Sequence, residues 1–341
     1  MPTTPDETGT PPNRSEPPSP DASLNYHFTQ IGEPLTGHDG HVNAVAIGTL
    51  DGKTIAVSGG TDDTLRMWDL ATGQQMGQPF ATDSSSINAV AIATLNGTTV
   101  AVFNSGSSLR VWDLALGEPI GDPLTGHDGH IYAVAIGILN GRTIAVSAAA
   151  DDTLRVWDLA TLQPIGLPLT GHKGTVFAVA VGILGGKTIA VSGGLDDTVR
   201  VWDLAAGKTI GKPLTGHEGT VNEVAVGTLG DRTIAVSASD DETLRVWDLA
   251  TLQPINWPLE VGSIVSALAV GTVGDKTIAV SSTYDNSLRV WDLAVGIPIR
   301  QPLAGHTNWI EEVTVGTLNG ETMAVSASAD HDLRVWGLGP L

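Results

Sequence analysis

The chain has 341 residues and no cysteine, and 37 acidic against 17 basic side chains give it a net charge of −20. Without cysteine it can form neither a disulfide framework nor a thiolate metal site, which excludes disulfide-stabilised modules and thiol redox chemistry. The negative charge repels phosphate backbones and anionic lipid heads, so nucleic acid and membranes are not expected as partners. The N-terminus lacks a basic segment followed by an apolar one, and no apolar run approaches the roughly 18 residues that span a bilayer. We therefore expect a cytoplasmic protein.

Residues 1–24 differ in composition from the rest of the chain. They hold seven prolines and almost no large apolar side chain. Such a segment buries too little apolar surface to offset the entropy of ordering, so we predict a disordered, proline-rich acidic tail. Residues 25–341 are predicted to form a single domain.

The domain repeats one unit, which ends each time on a tryptophan. Successive copies are 44 or 45 residues apart, at Trp68, Trp112, Trp157, Trp202, Trp247, Trp291 and Trp336. Each unit contains two apolar runs rich in Val, Ile and Thr that are separated by a two-residue turn such as Asn140-Gly141, a pattern typical of a β-hairpin. One unit cannot bury both faces of its own sheet, so neighbouring units must supply the core. The sequence therefore predicts an all-β repeat protein.

A Gly-His pair opens five of the units and places its histidine 30 residues before the tryptophan, as at Gly171-His172 and Trp202. Gly-His near the start and Trp-Asp near the end resemble the WD-repeat β-propeller family over about residues 26–341. The resemblance implies a seven-bladed β-propeller with four antiparallel strands per blade around a central channel. Tyr26 to Thr36 parallels the outer strand that follows each Trp-Asp, whereas the last unit lacks one. We therefore expect the N-terminal strand to complete the last blade and close the ring.

Histidine, serine, aspartate and tryptophan recur in a fixed frame in repeats one, three, four, five and seven. The sets are His38, Ser58, Asp62 and Trp68; His127, Ser147, Asp151 and Trp157; His172, Ser192, Asp196 and Trp202; His217, Ser237, Asp241 and Trp247; and His306, Ser326, Asp330 and Trp336. A Ser-His-Asp set suggests a hydrolase, but one site would suffice and five copies favour a structural role. The resemblance implies a hydrogen-bonded network within each blade, running from Asp to His to Ser to the indole. We predict no catalytic residue, no metal and no cofactor.

Repeats two and six depart from this frame. In the second, Phe103 and Gly106 stand where serine and aspartate are expected, and residues 81–84 replace the Gly-His loop. In the sixth, Glu260-Val261-Gly262 replaces Gly-His, while the serine, aspartate and tryptophan remain. We expect both blades to lose internal hydrogen bonds. Sequence drift and a function for the altered loops both stay open.

Comparison among the repeats shows which positions the frame leaves free to vary. Two of them flank the first Val or Ile of the inner strand and a third precedes the tetrad aspartate, and the resemblance places all three at the channel mouth on one face. The binding residues predicted there are Tyr132, Phe177, Leu195, Asp240, Ile264, Tyr284, Trp309 and Glu311. Aromatic anchors with an acidic rim suit a protein or peptide partner, basic or amphipathic. The prediction is a monomeric interaction scaffold that is not an enzyme.

Two alternatives remain at this stage. The aromatic side chains could reflect ordinary partly buried packing. The channel could instead hold a small ligand or a catalytic site, because fold does not fix function. Such a site needs a cluster of acids, bases or metal ligands that is not repeated, and the candidates at the expected positions are His41, His130 and Glu311. They lie on separate blades, which favours the scaffold.

Overall fold

A computed structural model describes residues 26–82, 86–299 and 301–340, and in these ranges the chain forms seven antiparallel sheets and no helix. The sheets are the blades of a propeller, so the fold expected from the sequence is confirmed. The described residues contain no helix, and therefore no helix that could span a membrane. The predicted tail, residues 1–24, lies outside the described residues. We number the blades by their tryptophans, from blade 1 with Trp68 to blade 7 with Trp336.

Each blade runs from an inner strand beside the channel to an outer strand at the rim. The inner strands are Val42–Leu50, Val90–Leu95, Ile131–Leu139, Val176–Leu184, Val221–Leu229, Leu268–Val273 and Ile310–Leu318. The second strands are Lys53–Gly60, Thr98–Ser105, Arg142–Ala149, Lys187–Gly194, Arg232–Ser239, Lys276–Ser282 and Glu321–Ser328. The third strands are Thr64–Asp69, Ser108–Asp113, Thr153–Asp158, Val199–Asp203, Thr243–Asp248, Ser287–Asp292 and Asp332–Pro340.

The outer strands are mostly short. For blades 1 to 4 they are Gln74–Gln75 with Phe80–Ala81, Glu118–Pro119, Gln163–Pro164 with Leu169–Thr170, and Lys208–Thr209. Blade 5 has the longer strand Gln253–Glu260, blade 6 has Ile297–Pro298 with Leu303–Ala304, and blade 7 takes Tyr26–Gln30 and Leu35–Thr36.

The core lies between blades, as expected for units that cannot bury their own faces. In one cluster Ile144 and Val146 of blade 3 pack with Val176 and Trp202 of blade 4. The inner strands approach one another closely at their glycines. A Cβ added at Gly182 would lie 2.5 Å from Cγ1 of Val226 in the next blade, so no larger residue fits there without a shift.

The ring closes through the N-terminal strand, as predicted. Tyr26–Gln30 pairs antiparallel with Asp332–Pro340, in a register that runs from Tyr26 opposite Pro340 to Gln30 opposite Trp336. Arg334 donates to the side-chain oxygen of Gln30 across this seam. Arg66 makes the same contact with Gln75 inside blade 1, where the strands follow one another in sequence. The seam therefore reproduces the pairing of an ordinary blade.

Candidate functional site at the channel mouth

The five predicted tetrads form hydrogen-bonded chains inside their blades. In blade 4, Nδ1 of His172 lies 2.9 Å from a carboxylate oxygen of Asp196, and Nε2 lies 2.7 Å from Oγ of Ser192. The indole N–H of Trp202 donates to the same Oγ at 2.8 Å. In the tetrads of blades 1, 3, 5 and 7 the corresponding contacts span 2.7–3.0 Å.

Burial and hydrogen bonding set the protonation of these groups. Burial lowers the pKa of His38, His127 and His217, and it outweighs the pull of the neighbouring aspartate. Burial by itself would raise the pKa of Asp330, but hydrogen bonds from His306 and the Thr307 N–H hold it at about 2. An ionised aspartate fixes the imidazole with its proton on Nδ1, so Nε2 accepts from the serine hydroxyl.

This order of hydrogen bonds matches that of a hydrolytic triad, but the serine is sealed off. The five tetrad serines have no exposed surface, and each oxygen is already engaged by an indole N–H. A nucleophile must reach its substrate, so the geometry supports a structural role for the tetrads.

Blades 2 and 6 lack the histidine and are held differently. With Phe103 in place of serine, the indole N–H of Trp112 has no acceptor among the described residues. The side-chain oxygen of Asn104 instead accepts the backbone N–H groups of Asn88 and Ala89 at 2.7 and 2.9 Å. Oγ of Ser282 does the same in blade 6, for Ser266 and Ala267. Polar side chains thus accept N–H groups at the start of these two inner strands, where the N–H groups of Asn104 and Ser282 still donate to the carbonyls of Ala89 and Ala267.

In the five tetrad blades the inner strand begins with a β-bulge. The pairing register shifts between Val176 and Ala178 in blade 4, and at the equivalent place in blades 1, 3, 5 and 7. A bulge inserts an extra residue and re-aims side chains. In blade 5 both Asn222 and Glu223 line the channel mouth, although they are adjacent in sequence.

The channel mouth is a cavity of about 530 Å³, which we call the mouth cavity. It is lined by seven of the eight predicted binding residues, namely Tyr132, Phe177, Asp240, Ile264, Tyr284, Trp309 and Glu311. Leu195 is exposed but is not part of the lining, and lies instead against Gly174. His41 and His130 are exposed and also outside the lining.

Four of the lining residues form two aromatic pairs. The Tyr132 and Phe177 rings meet edge to face with centroids 5.1 Å apart. The Tyr284 and Trp309 rings are 5.6 Å apart, and these side chains are 59% and 53% exposed. Exposed aromatic surface of this kind is typical of binding anchors.

Two acidic residues of the cavity, Glu223 and Glu312, were missed by the sequence analysis. They line both the mouth cavity and the channel below it, on blades 5 and 7. The variable positions of the inner strand lie on either side of its first Val or Ile, and these glutamates come one residue later. A signal was present, since the other five blades carry alanine at that position, at Ala44, Ala89, Ala133, Ala178 and Ala267.

A family model described as WD domain, G-beta repeat matches residues 29–69, 117–158, 163–203 and 207–248. Each match begins on, or one residue before, the outer strand of one blade and ends on the Trp-Asp of the next, as residues 29–69 do across the seam between blades 7 and 1. The chain belongs to the WD-repeat β-propeller family. Propellers of this family are commonly non-catalytic scaffolds that bind protein partners. A comparison with curated proteins found no match.

Proposed function

We propose that this WD-repeat propeller is a cytoplasmic, monomeric interaction scaffold that binds a peptide segment of a partner protein in the mouth cavity. The observation that carries the proposal is the exposed aromatic surface around an acidic cavity. The blades repeat one frame, yet at the mouth they present different side chains, and these include four of the chain's 16 aromatic residues. Binding residues are commonly found at such variable positions, which a rigid scaffold holds in place.

The charge of the cavity favours a basic or amphipathic segment. Asp240 and Glu311 lie in the lining with Glu223 and Glu312, and the described residues that line the cavity include no Lys or Arg. The net charge of −20 reinforces this field and accelerates encounters with basic partners. The same field disfavours nucleic acid and anionic membranes.

The test is selection of displayed peptides on the immobilised chain, followed by affinity measurements on variants. We expect Phe177→Ala, Tyr284→Ala and Trp309→Ala each to weaken binding by about 2 kcal/mol or more, the usual effect of removing a central aromatic anchor. Trp257→Ala is the matched control, because Trp257 is 89% exposed on the outer strand of blade 5 and does not line the cavity.

Selected peptides that bind all three cavity variants as tightly as the original chain would overturn the proposal. The competing function is a catalytic site in the channel. It predicts substrate turnover even though Ser192 and its four equivalents do not react with fluorophosphonates. We expect neither serine labelling nor ester hydrolysis.

A further inference from the structure

Glu223 and Glu312 occupy an unusual place for acidic side chains. They project from the inner strands of blades 5 and 7, directly after the bulge, where sister blades place alanine. Protein surrounds both side chains, and the surface they keep open faces the channel. A carboxyl group in such a position destabilises the fold unless it is neutralised or paired.

Each carboxyl group accepts one hydrogen bond from the described residues. The N–H of Val224 donates to Glu223 at 2.9 Å, and the N–H of Val313 donates to Glu312 at 3.1 Å. Among the described residues, no Lys, Arg or His lines the mouth cavity or the channel around these groups. Burial and then the charge of Glu312 raise the pKa of Glu223, and burial raises the pKa of Glu312 to about 8. Within the part of the chain that the structure describes, both groups therefore lack a counter-ion, and burial favours their protonated form.

We propose that Glu223 and Glu312 together bind a guanidinium group, supplied by an arginine side chain of the partner peptide. This inference rests on the proposed function and specifies the residue that the partner inserts. The aromatic pairs stand at the entrance, and the two carboxyl groups lie at the level where the mouth cavity meets the channel.

Guanidinium fits these surroundings better than other cations do. It is planar, it is more weakly hydrated than ammonium, and its fork of N–H groups matches carboxylate oxygens. Its faces stack on aromatic rings, which the entrance supplies through Tyr132, Phe177, Tyr284 and Trp309. A metal ion is disfavoured, because the described residues contain no group of three or more side chains placed to ligate one.

The direct test titrates capped arginine amide into the full chain and follows the indole N–H signal of Trp309 by NMR. Capped citrulline amide, the neutral isostere, and capped lysine amide are titrated in parallel. We expect saturable binding of the arginine probe and none of the citrulline probe. Removing one partner of a desolvated charge pair should weaken arginine binding by about 30-fold or more in Glu223→Gln and in Glu312→Gln. Glu118→Gln, on the exposed outer strand of blade 2, is the control with the same charge change.

The second arm replaces arginine by citrulline in the peptides selected on the cavity. Loss of binding supports the inference. Peptides that lose affinity in Trp309→Ala but are indifferent to citrulline and to both glutamine variants would overturn it and leave the proposed scaffold function intact. Binding of the lysine probe as tight as that of arginine would overturn the preference for guanidinium. If neither the probe nor any peptide depends on the cavity, both proposals fall.

Discussion

The tetrad in blade 4 shows how one set of side chains satisfies several buried polar groups at once. His172 and Ser192 are buried and are hydrogen-bonded to each other. The carboxylate of Asp196 completes the hydrogen bonds of His172, and the Trp202 indole completes those of Ser192. The backbone N–H of Lys173 and the hydroxyl of Thr198 also donate to Asp196, which ties the Gly-His loop to the turn before the third strand. The aspartate is the point where the loop, the turn and the imidazole meet.

Removal of this carboxylate should destabilise the blade without changing any activity. Asp196→Ala leaves the buried imidazole of His172 and the N–H of Lys173 short of a partner, at a cost of about 1 to 3 kcal/mol in the free energy of unfolding. Urea denaturation measures it. Asp275→Ala, in an exposed hairpin turn, removes a carboxylate from the surface and should have little effect. Equal midpoints for the two variants would contradict a structural role for the tetrad.

Blade 2 offers an internal comparison, because its tryptophan has lost its acceptor. Trp157→Phe removes an indole N–H bonded to Ser147 at 2.9 Å and leaves that buried hydroxyl with one partner fewer, whereas Trp112→Phe removes an N–H that has no acceptor among the described residues. The two substitutions delete the same atoms. We expect the blade 3 variant to lose about 1 kcal/mol more stability than the blade 2 variant, measured by thermal and urea unfolding. Equal losses in the two variants would show that the hydrogen bond contributes nothing.

At the scale of the element, the inner strand carries both the regular and the singular features of the propeller. Its glycine lets neighbouring blades approach closely, and its bulge turns two successive residues toward the mouth. In blades 2 and 6 the bulge is absent, and Asn104 and Ser282 hold the entering chain through side-chain oxygens. The start of this strand is therefore where blades differ while the rest of the frame stays constant.

The glutamate of blade 7 should lower the stability of the ring as pH rises. Burial raises the pKa of Glu312 to about 8 in the folded chain, so above the ordinary value of 4.5 the unfolded chain holds fewer protons. Its stabilising contribution is therefore complete below pH 4.5 and is lost as pH rises through 8. Glu312→Ala, which restores the residue of the sister blades, should be more stable than the original chain by roughly 1 kcal/mol or more at pH 9.

The difference in melting temperature between this variant and the original chain, followed from pH 5 to pH 9, is the measurement. It should widen with pH for Glu312→Ala and stay flat for Glu118→Ala on the exposed outer strand of blade 2. A flat difference for both would mean that Glu312 is solvated like a surface carboxylate.

Sequence periodicity predicted the strands well because one frame is repeated and each position can be compared with its sisters. Trp202 and its equivalents mark the third strand, and Asn140-Gly141 and its equivalents mark the hairpin turn. Both turn residues adopt positive φ in blades 1, 2, 3, 4 and 7, and the first one does in blades 5 and 6. The bulge is different, because Val221 and Glu223 show the alternation of a regular strand. Nothing in their spacing indicates that Asn222 and Glu223 share a face. Glu223 and Glu312 were therefore accessible only by comparing them with the alanine of the sister blades.

At the scale of the whole molecule, stability depends on a closed circuit of blade-to-blade contacts. The last contacts join blade 7 to blade 1, where a Cβ added at Gly316 would lie 3.0 Å from Ile47, and where Leu35 packs into the same core cluster as Val325 and Trp68. Leu35 belongs to the N-terminal segment that pairs with blade 7. That segment therefore joins the first and last blades both by main-chain pairing and by core packing.

Truncation at the N-terminus tests this closure. Deletion of residues 1–22 should leave the melting temperature unchanged, whereas deletion of residues 1–36 removes Tyr26–Gln30 and Leu35–Thr36 and exposes the edge of Asp332–Pro340. An exposed strand edge recruits other chains, so we expect lower stability and association on size-exclusion chromatography. Identical melting of the two truncated chains would show that the seam contributes little.

The direction of the seam also determines how the ring responds to tension. Tyr26 lies opposite Pro340, so the two chain ends leave the pair at the same place, and the register runs inward from there to Gln30 and Trp336. A force that pulls the termini apart would break these hydrogen bonds one after another, starting at the Tyr26 end. A force along the strands would instead load all of them at once. The propeller should thus be mechanically weakest along its own chain ends, and a partner that pulls on the N-terminal segment would open the ring at blade 7 before it disturbs any other blade.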